Sequence, residues 1–209
     1  MNMQDATKVS EGLAYGPPGE RTIHLCIDMQ RLFDKGSDWE VDWLRRVLPN
    51  ICDLVERIPD RTIFTRFITP ETLEDAPGAW RRYYQKWPQM LRRTLEPDLL
   101  RLLPELEIHL PPARLFDKPV YSPWMDGRLH GMLQQDRIDT VVMTGGETDV
   151  CLLAAIMGAV DLGYRVIVVS DAVCSSTDDT HDAAMEMYAK RFGQQIEMVE
   201  TEALIAALS

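Results

Sequence analysis

Short apolar runs alternate with longer segments of helical periodicity along most of the chain. The apolar runs are brief, rich in β-branched residues, and bounded by polar residues, glycine or proline, which is typical of buried strands. They lie at 22–27, 62–68, 115–116, 140–144, 166–169 and 196–199. Segments with apolar residues in steps of three and four are predicted helices. These lie at 38–58, 148–162, 178–191 and 201–208.

Strands that alternate with helices are typical of crossover connections and a parallel sheet. We therefore predict a single α/β domain with three layers, a Rossmann-like fold. Its sheet of about six mainly parallel strands would carry helices on both faces. The domain is expected to span 21–209, because no linker or repeat divides it. Residues 1–20 are predicted to form a polar arm that ends in a Gly-Pro-Pro-Gly turn.

Composition and charge narrow the class of protein. The chain has 209 residues, 45% of them hydrophobic, and a net charge of −11. An acidic surface repels phosphate backbones and anionic lipid, so we expect neither nucleic acid nor a membrane as a partner. No apolar run approaches the roughly 20 residues that span a bilayer, and the first twenty residues lack a secretory signal pattern. The four cysteines form no CxxC pair; with no secretory signal, free thiols in a cytoplasmic protein are the expectation.

Chemically active residues follow three of the predicted strands. Ligands bind at the carboxyl ends of strands in open parallel sheets. Asp28 closes the first strand, Lys118 follows the third, and the segment 145–151, GGETDVC, places Cys151 in the first turns of a helix. A helix N-terminus lowers the pKa of a thiol, Lys118 would stabilise the thiolate, and Asp28 would receive and return its proton. Alternatively, Cys151 is a small buried hydrophobe and the Asp–Lys pair is structural.

Three motifs in fixed order carry a family resemblance. They are Ile27-Asp28-Met29-Gln30 with Phe33, Asp117-Lys118-Pro119 with Tyr121-Ser122, and Gly145-Gly146-Glu147-Thr148-Asp149-Val150-Cys151. With them the chain resembles the isochorismatase-like cysteine hydrolases, the group that includes nicotinamidase and N-carbamoylsarcosine amidohydrolase. The resemblance covers about residues 20–208.

The resemblance implies a catalytic triad of Asp28, Lys118 and Cys151. It also implies a cis peptide bond between Gly146 and Glu147, with the N–H groups of Glu147 and Cys151 forming an oxyanion hole. The Cys151 thiolate would attack an amide or ureido carbonyl, release ammonia or an amine, and leave a thioester for hydrolysis. Asp28 would act as acid and then as base.

Two departures from family patterns refine this expectation. Nicotinamidases bind a metal through an Asp-x-His motif and a further His, but this chain has no histidine between His24 and His109. We therefore predict no catalytic metal and no cofactor, and nicotinamide is a less favoured substrate. True isochorismatases cleave a vinyl ether and lack the nucleophilic cysteine. Because Cys151 is present, covalent amide hydrolysis is the favoured reaction.

Aromatic residues near these motifs are candidates for the pocket wall. Phe33, Trp124 and Tyr121 are predicted to bind substrate. In the segment 80–93, basic residues surround one aromatic stripe along a helix, formed by Trp80, Tyr83, Tyr84 and Trp87. This stripe could pack on the core, contact another subunit, or cover the site as a lid. Association as a homodimer or homotetramer is expected.

Three hypotheses for function follow. The first is a cysteine amidohydrolase that acts on a small amide, carbamoyl or ureido compound. The second is a vinyl-ether hydrolase of the isochorismatase type in which the cysteine is idle. The third is a family member that binds a small molecule without turning it over.

Overall fold

The computed structural model describes residues 13–208 and contains one six-stranded sheet. Its strands are β1 (Thr22–Ile27), β2 (Thr62–Phe67), β3 (Arg114–Lys118), β4 (Thr140–Gly146), β5 (Arg165–Cys174) and β6 (Ile196–Val199). They lie in the order β3-β2-β1-β4-β5-β6, and every neighbouring pair is parallel. The predicted α/β fold with a parallel sheet is confirmed. Three strands continue further than predicted, to Lys118, Gly146 and Cys174.

Helices cover both faces of this sheet. They are α1 (Leu44–Arg57), α2 (Ala79–Lys86), α3 (Pro104–Glu107), α4 (Arg128–Gln135), α5 (Cys151–Asp161), α6 (Asp178–Arg191) and α7 (Thr201–Ala207). Side chains alternate between the faces along β1. Ile23, Leu25 and Ile27 pack with α4, α5 and α6, whereas Cys26 packs with α1 and α7. Because successive side chains of a strand point to opposite faces of the sheet, β1 contributes side chains to the core on both faces.

The strand order places a switch point between β1 and β4. From β1 the chain first adds β2 and β3 on one side, and then β4, β5 and β6 on the other. Crossovers that leave in opposite directions open a crevice at the carboxyl ends of the two central strands. Asp28 directly follows β1, and the turn 147–150 directly follows β4, so both border this crevice.

Two predicted helices begin later than expected. The segment 38–58 becomes helical only at Leu44, because residues 33–43 fold back as turns, in which the Val41 N–H donates to the Phe33 carbonyl at 3.0 Å. The segment 148–162 becomes helical only at Cys151, because the Thr148 N–H donates to the Cys174 carbonyl at 2.8 Å instead of entering a helix. Cys151 is therefore the first residue of α5.

The aromatic stripe on α2 packs inward. Tyr84 is 1% exposed and lies in a separate apolar cluster with Leu32, Phe67 and Met90. Trp80, Tyr83 and Trp87 are half-buried at the edge of this cluster. The stripe is thus mainly a packing surface, and three of its four rings remain partly accessible.

Part of the predicted N-terminal arm is attached to the domain. Residues 1–12 lie outside the described residues, but Leu13 packs against the core and Tyr15 donates hydrogen bonds to Gln194 and Glu197, both at 3.1 Å. Between Leu13 and Leu208, no helix is both long enough and apolar enough to cross a membrane.

Candidate active site

Three elements bring Asp28, Lys118 and Cys151 to one buried place. Asp28 follows the end of β1, Lys118 is the last residue of β3, and Cys151 is the first residue of α5. Their exposed fractions are 2%, 2% and 7%. Strand β2 separates β1 from β3, and the long lysine side chain reaches across it, so that its Nζ donates to Asp28 Oδ2 at 2.6 Å.

Asp28 is held by a threonine on β2 as well as by the lysine. The hydroxyl Oγ1 of Thr65 donates to Asp28 Oδ1 at 2.7 Å. This hydroxyl oxygen of Thr65 also accepts the backbone N–H of Asp28 at 3.1 Å. Asp28 has a φ of +53°, in the left-handed region. The paired contacts to Thr65 hold both the backbone and the carboxylate in this conformation. Sequence reasoning missed Thr65; a hydroxyl in a buried strand beside β1 was the available signal.

Lys118 remains an ammonium in this cluster. Burial opposes its charge, but the negative charges of Asp28 and of the Cys151 thiolate form outweigh burial and raise the pKa of Lys118. The Nζ also donates to the Val120 carbonyl at 3.2 Å and lies 5.1 Å from the ring centroid of Phe67. A buried cation is stable only with such partners.

The thiol of Cys151 does not have the lowered pKa that its helix position predicted. Burial raises the pKa of Cys151 well above its ordinary value, Lys118 opposes this rise, and the charge of Asp28 adds to it. Desolvation of the thiolate therefore exceeds the favourable effect of the cation. Asp28 is the neighbouring base that can remove the proton of this thiol.

The backbone conformation of the turn before Cys151 is tightly restricted. Gly145 has a φ of +95°, and a Cβ there would lie 2.2 Å from the Ile27 carbonyl oxygen, so only glycine fits. The Gly146–Glu147 peptide bond is cis. The next residue, Thr148, donates through Oγ1 to the Cys174 carbonyl at 2.9 Å, and its own carbonyl accepts the Tyr188 hydroxyl at 2.6 Å.

Three backbone donors of the segment 147–151 are free among the described residues, and that of Asp149 is one of them. Within residues 13–208, neither the N–H of Glu147 nor that of Cys151 has a hydrogen-bond acceptor, whereas Val150 and Leu152 both donate to the Glu147 carbonyl at 3.0 Å. Free N–H groups at the start of a helix attract negative charge. The N–H groups of Glu147 and Cys151 are the donors expected to form an oxyanion hole.

A cavity of about 370 Å³ opens onto Cys151. Six of its twelve lining residues are aromatic, and three of the others carry a carboxylate. The lining residues are Phe33, Asp38, Trp39, Glu40, Phe67, Tyr83, Trp87, Tyr121, Glu147, Val150, Cys151 and Ser176. Of the predicted substrate-binding residues, Phe33 and Tyr121 lie in this wall. The stripe on α2 contributes Tyr83 and Trp87.

The structure does not bring Trp124 to this cavity. Its indole N–H donates to the Ala155 carbonyl at 2.8 Å, its ring stacks on Tyr164 at a centroid distance of 5.7 Å, and a Cβ at Gly158 would clash with it. The chain after Lys118 turns the indole under α5, where it is a core residue. Sequence reasoning missed two pocket aromatics, Trp39, which lies in the predicted helix 38–58, and Phe67, which lies in the predicted strand 62–68.

The donor set of this site does not fit the metal of nicotinamidases. His24 is buried, with its ring nitrogens 3.2 Å from the Thr62 hydroxyl and 2.8 Å from the Thr144 hydroxyl, and burial lowers its pKa to about 3. No histidine lines the cavity. Throughout the described part of the chain, no group of three or more His, Cys, Asp or Glu side chains is placed to hold a metal ion.

Replacing Thr65 with valine is expected to lower the free energy of unfolding by about 1–3 kcal/mol, because the buried carboxylate of Asp28 loses one of its side-chain donors. Thr65→Ser keeps the hydroxyl and is expected to lose only about 1 kcal/mol with its methyl group. Urea unfolding measures both values. A valine variant as stable as the wild type would contradict the role assigned to Thr65.

Comparison with known proteins identifies the family. The model of the isochorismatase domain matches residues 22–200. A curated relative in Arabidopsis thaliana, a probable inactive nicotinamidase, is 27% identical over 171 residues, which are 78% of this chain and 85% of that protein.

Solved structures share the fold. A cysteine hydrolase from Pseudomonas syringae pv. phaseolicola 1448A has a TM-score of 0.78 at 24% identity. The match covers 90% of this chain and 92% of the hydrolase chain. An N-carbamoylsarcosine amidase from Thermoplasma acidophilum has a TM-score of 0.71 at 18% identity. The match covers 87% of this chain and 96% of the amidase chain. The domain match and the shared fold show that this chain belongs to the isochorismatase family of hydrolases.

Proposed function

We propose that the protein is a cysteine amidohydrolase that cleaves a C–N bond of a small amide, carbamoyl or ureido compound. The observation that carries this proposal is the buried cluster of Asp28, Lys118 and Cys151 beside an open cavity. A base, a cation and a thiol in contact are the components of nucleophilic catalysis. The solved neighbours named as a cysteine hydrolase and an amidase support this reaction class.

The first half of the reaction acylates the thiol. Asp28 accepts the proton of Cys151 as Sγ attacks the carbonyl carbon, and a C–S bond forms. The N–H groups of Glu147 and Cys151 hold the resulting oxyanion, while Lys118 stabilises the charge of the thiolate. When the tetrahedral intermediate collapses, the C–N bond breaks. Asp28 gives its proton to the nitrogen, which leaves as ammonia or an amine.

The second half regenerates the enzyme. Asp28 accepts a proton from water as the water oxygen attacks the thioester carbon. The C–S bond then breaks, a carboxylic or carbamic acid leaves, and Asp28 returns the proton to Sγ. Lys118 keeps its proton throughout, since the neighbouring negative charges raise its pKa.

An ammonia-release screen over linear amides, carbamoyl amino acids and ureido acids tests this proposal. We expect at least one member to release ammonia, and we expect mass spectrometry of a rapidly quenched reaction to detect an acyl adduct on Cys151. Hydrolysis of a vinyl ether without any such adduct would support the ether hydrolase instead. If no member is turned over and no adduct forms, the non-catalytic hypothesis gains support.

A further inference from the structure

The cavity wall carries negative charge without a matching positive charge. Its charged lining residues are Asp38, Glu40 and Glu147, and no Lys, Arg or His belongs to the described lining. Lys118 does not belong to the described lining and is paired with Asp28. Lys86 does not line the cavity; its Nζ lies 5.3 Å from the ring centroid of Trp87. A substrate carboxylate would find no cation on this wall.

Glu147 lines the cavity together with the reacting thiol and has no counter-ion among residues 13–208. It is half-buried, and its Oε1 accepts one backbone hydrogen bond, from Ser176 at 3.2 Å. Among residues 13–208 it forms no ion pair. Burial raises the pKa of Glu147, and the negative charge of Asp149 adds to this rise. The hydrogen bond from Ser176 lowers the pKa, but it does not cancel the rise. An unpaired carboxylate in such a place is costly, and a bound cation would remove much of that cost.

Aromatic rings surround the same space. Trp39 lies between several of these rings. The distance from its ring centroid to the neighbouring ring centroid is 5.8 Å for Tyr83, 6.1 Å for Phe67, and 6.3 Å for both Phe33 and Trp87. The faces of aromatic rings attract cations, most strongly for tryptophan. The buried indole N–H of Trp39 also has no acceptor among the described residues.

We propose that the substrate is a cationic amide or ureide, in which an ammonium or guanidinium group lies between the carboxylate of Glu147 and the rings of Trp39, Tyr83 and Trp87. The proposal rests on the amidohydrolase function, and it adds the substrate class. Asp38 and Glu40, both exposed, lie on the same wall and favour approach of a cation to the cavity.

A set of three amides that differ in charge tests the substrate class. Trimethylammonioacetamide is the cation, 3,3-dimethylbutanamide has the same shape without charge, and malonamate is the anion. We expect kcat/KM for the cation to exceed that of the neutral amide by about tenfold or more. Faster hydrolysis of the neutral or anionic amide would overturn the cationic class and would leave the amidohydrolase proposal standing.

Binding by calorimetry decides the question without turnover. In a Cys151→Ala background, we expect trimethylammonioacetamide to bind about tenfold more tightly than 3,3-dimethylbutanamide, and Glu147→Gln to remove most of this preference. Glu202→Gln on α7 changes the net charge equally, lies outside the cavity wall, and should keep the preference. Equal binding of the two amides, or a preference that survives Glu147→Gln, would overturn the proposal. The absence of any hydrolysis despite cation-selective binding would contradict only the amidohydrolase function.

Discussion

Replacing Cys151 with alanine is expected to lower kcat/KM for the amide substrate by at least about 10⁴-fold while leaving the fold intact. No other group in the cluster can form the covalent intermediate, because Asp28 and Lys118 are engaged with each other. The cost to the fold is small, because alanine is a good residue for the start of α5 and is smaller than cysteine, so it creates no clash. Steady-state kinetics and thermal melting measure the two effects separately.

Cys52→Ala is the matched control for this experiment. Cys52 is a free, half-buried thiol on α1, and it does not line the cavity. We expect this variant to retain the activity of the wild type. Activity that survives Cys151→Ala would contradict the thioester mechanism and would favour attack by water, as in the ether hydrolase hypothesis. Loss of activity in both variants would show that the assay reports on folding.

Replacing Lys118 with methionine is expected to lower the free energy of unfolding by about 3–5 kcal/mol. Methionine fills similar space, but Asp28 would keep a buried negative charge with Thr65 as its remaining side-chain donor. Removal of one partner from a buried ion pair is much more costly than removal of both. We therefore expect the double variant Asp28→Asn, Lys118→Met to be more stable than Lys118→Met alone, as measured by urea unfolding.

Lys190→Met provides the comparison on the surface. Lys190 pairs with Glu186 on α6, and their side chains are 46% and 61% exposed. An exposed pair contributes about 1 kcal/mol or less, so this variant should unfold at nearly the wild-type urea concentration. If Lys118→Met were no more damaging than Lys190→Met, the buried pair would not have the role assigned to it.

The effect of Lys118 on stability should depend on pH in one direction. Its pKa in the folded state is raised, so the folded protein holds this proton more tightly than the unfolded chain does. The contribution to stability is therefore complete below the unfolded lysine pKa of about 10.4, and it declines as pH rises toward the folded value. The difference between wild type and Lys118→Met should be smaller at pH 11 than at pH 7.

Much of the catalytic cluster could be predicted because it depends on strand ends. Hydrophobic patterning located β1, β3 and β4, and parallel strands bring their carboxyl ends to one edge of the sheet. Asp28, Lys118 and Cys151 follow or end these patterns, which made their proximity one of two readings, and the family resemblance favoured a triad over a structural Asp–Lys pair. Thr65 was not predicted: its hydroxyl within a buried strand was visible in the sequence, but only the pairing of β2 with β1 places it against Asp28.

The wall of the cavity could not be predicted in the same way. Phe33 and Tyr121 lie there as expected, but Trp124 lies in the core under α5 and Trp39 takes a place on the wall. Both tryptophans lie in turns between helices and strands, and the direction of such a side chain depends on packing against distant segments. The side chain of Glu147 shows the same limit: its sequence position suggested only a backbone role.

The amino-acid sequence by itself determined the alternation of strands and helices, the parallel sheet, and the three motifs with their candidate base, cation and thiol. These depend on residue periodicity and chain order, which are local properties. Only the tertiary structure decided the direction in which the pKa of the thiol is shifted and the charge of the cavity wall. The pKa of Cys151 is set by desolvation, and the acidic, aromatic wall is assembled from segments as distant as 33–40, 83–87 and 147–151. Burial and electrostatic surroundings are sums over atoms that only the folded chain brings together.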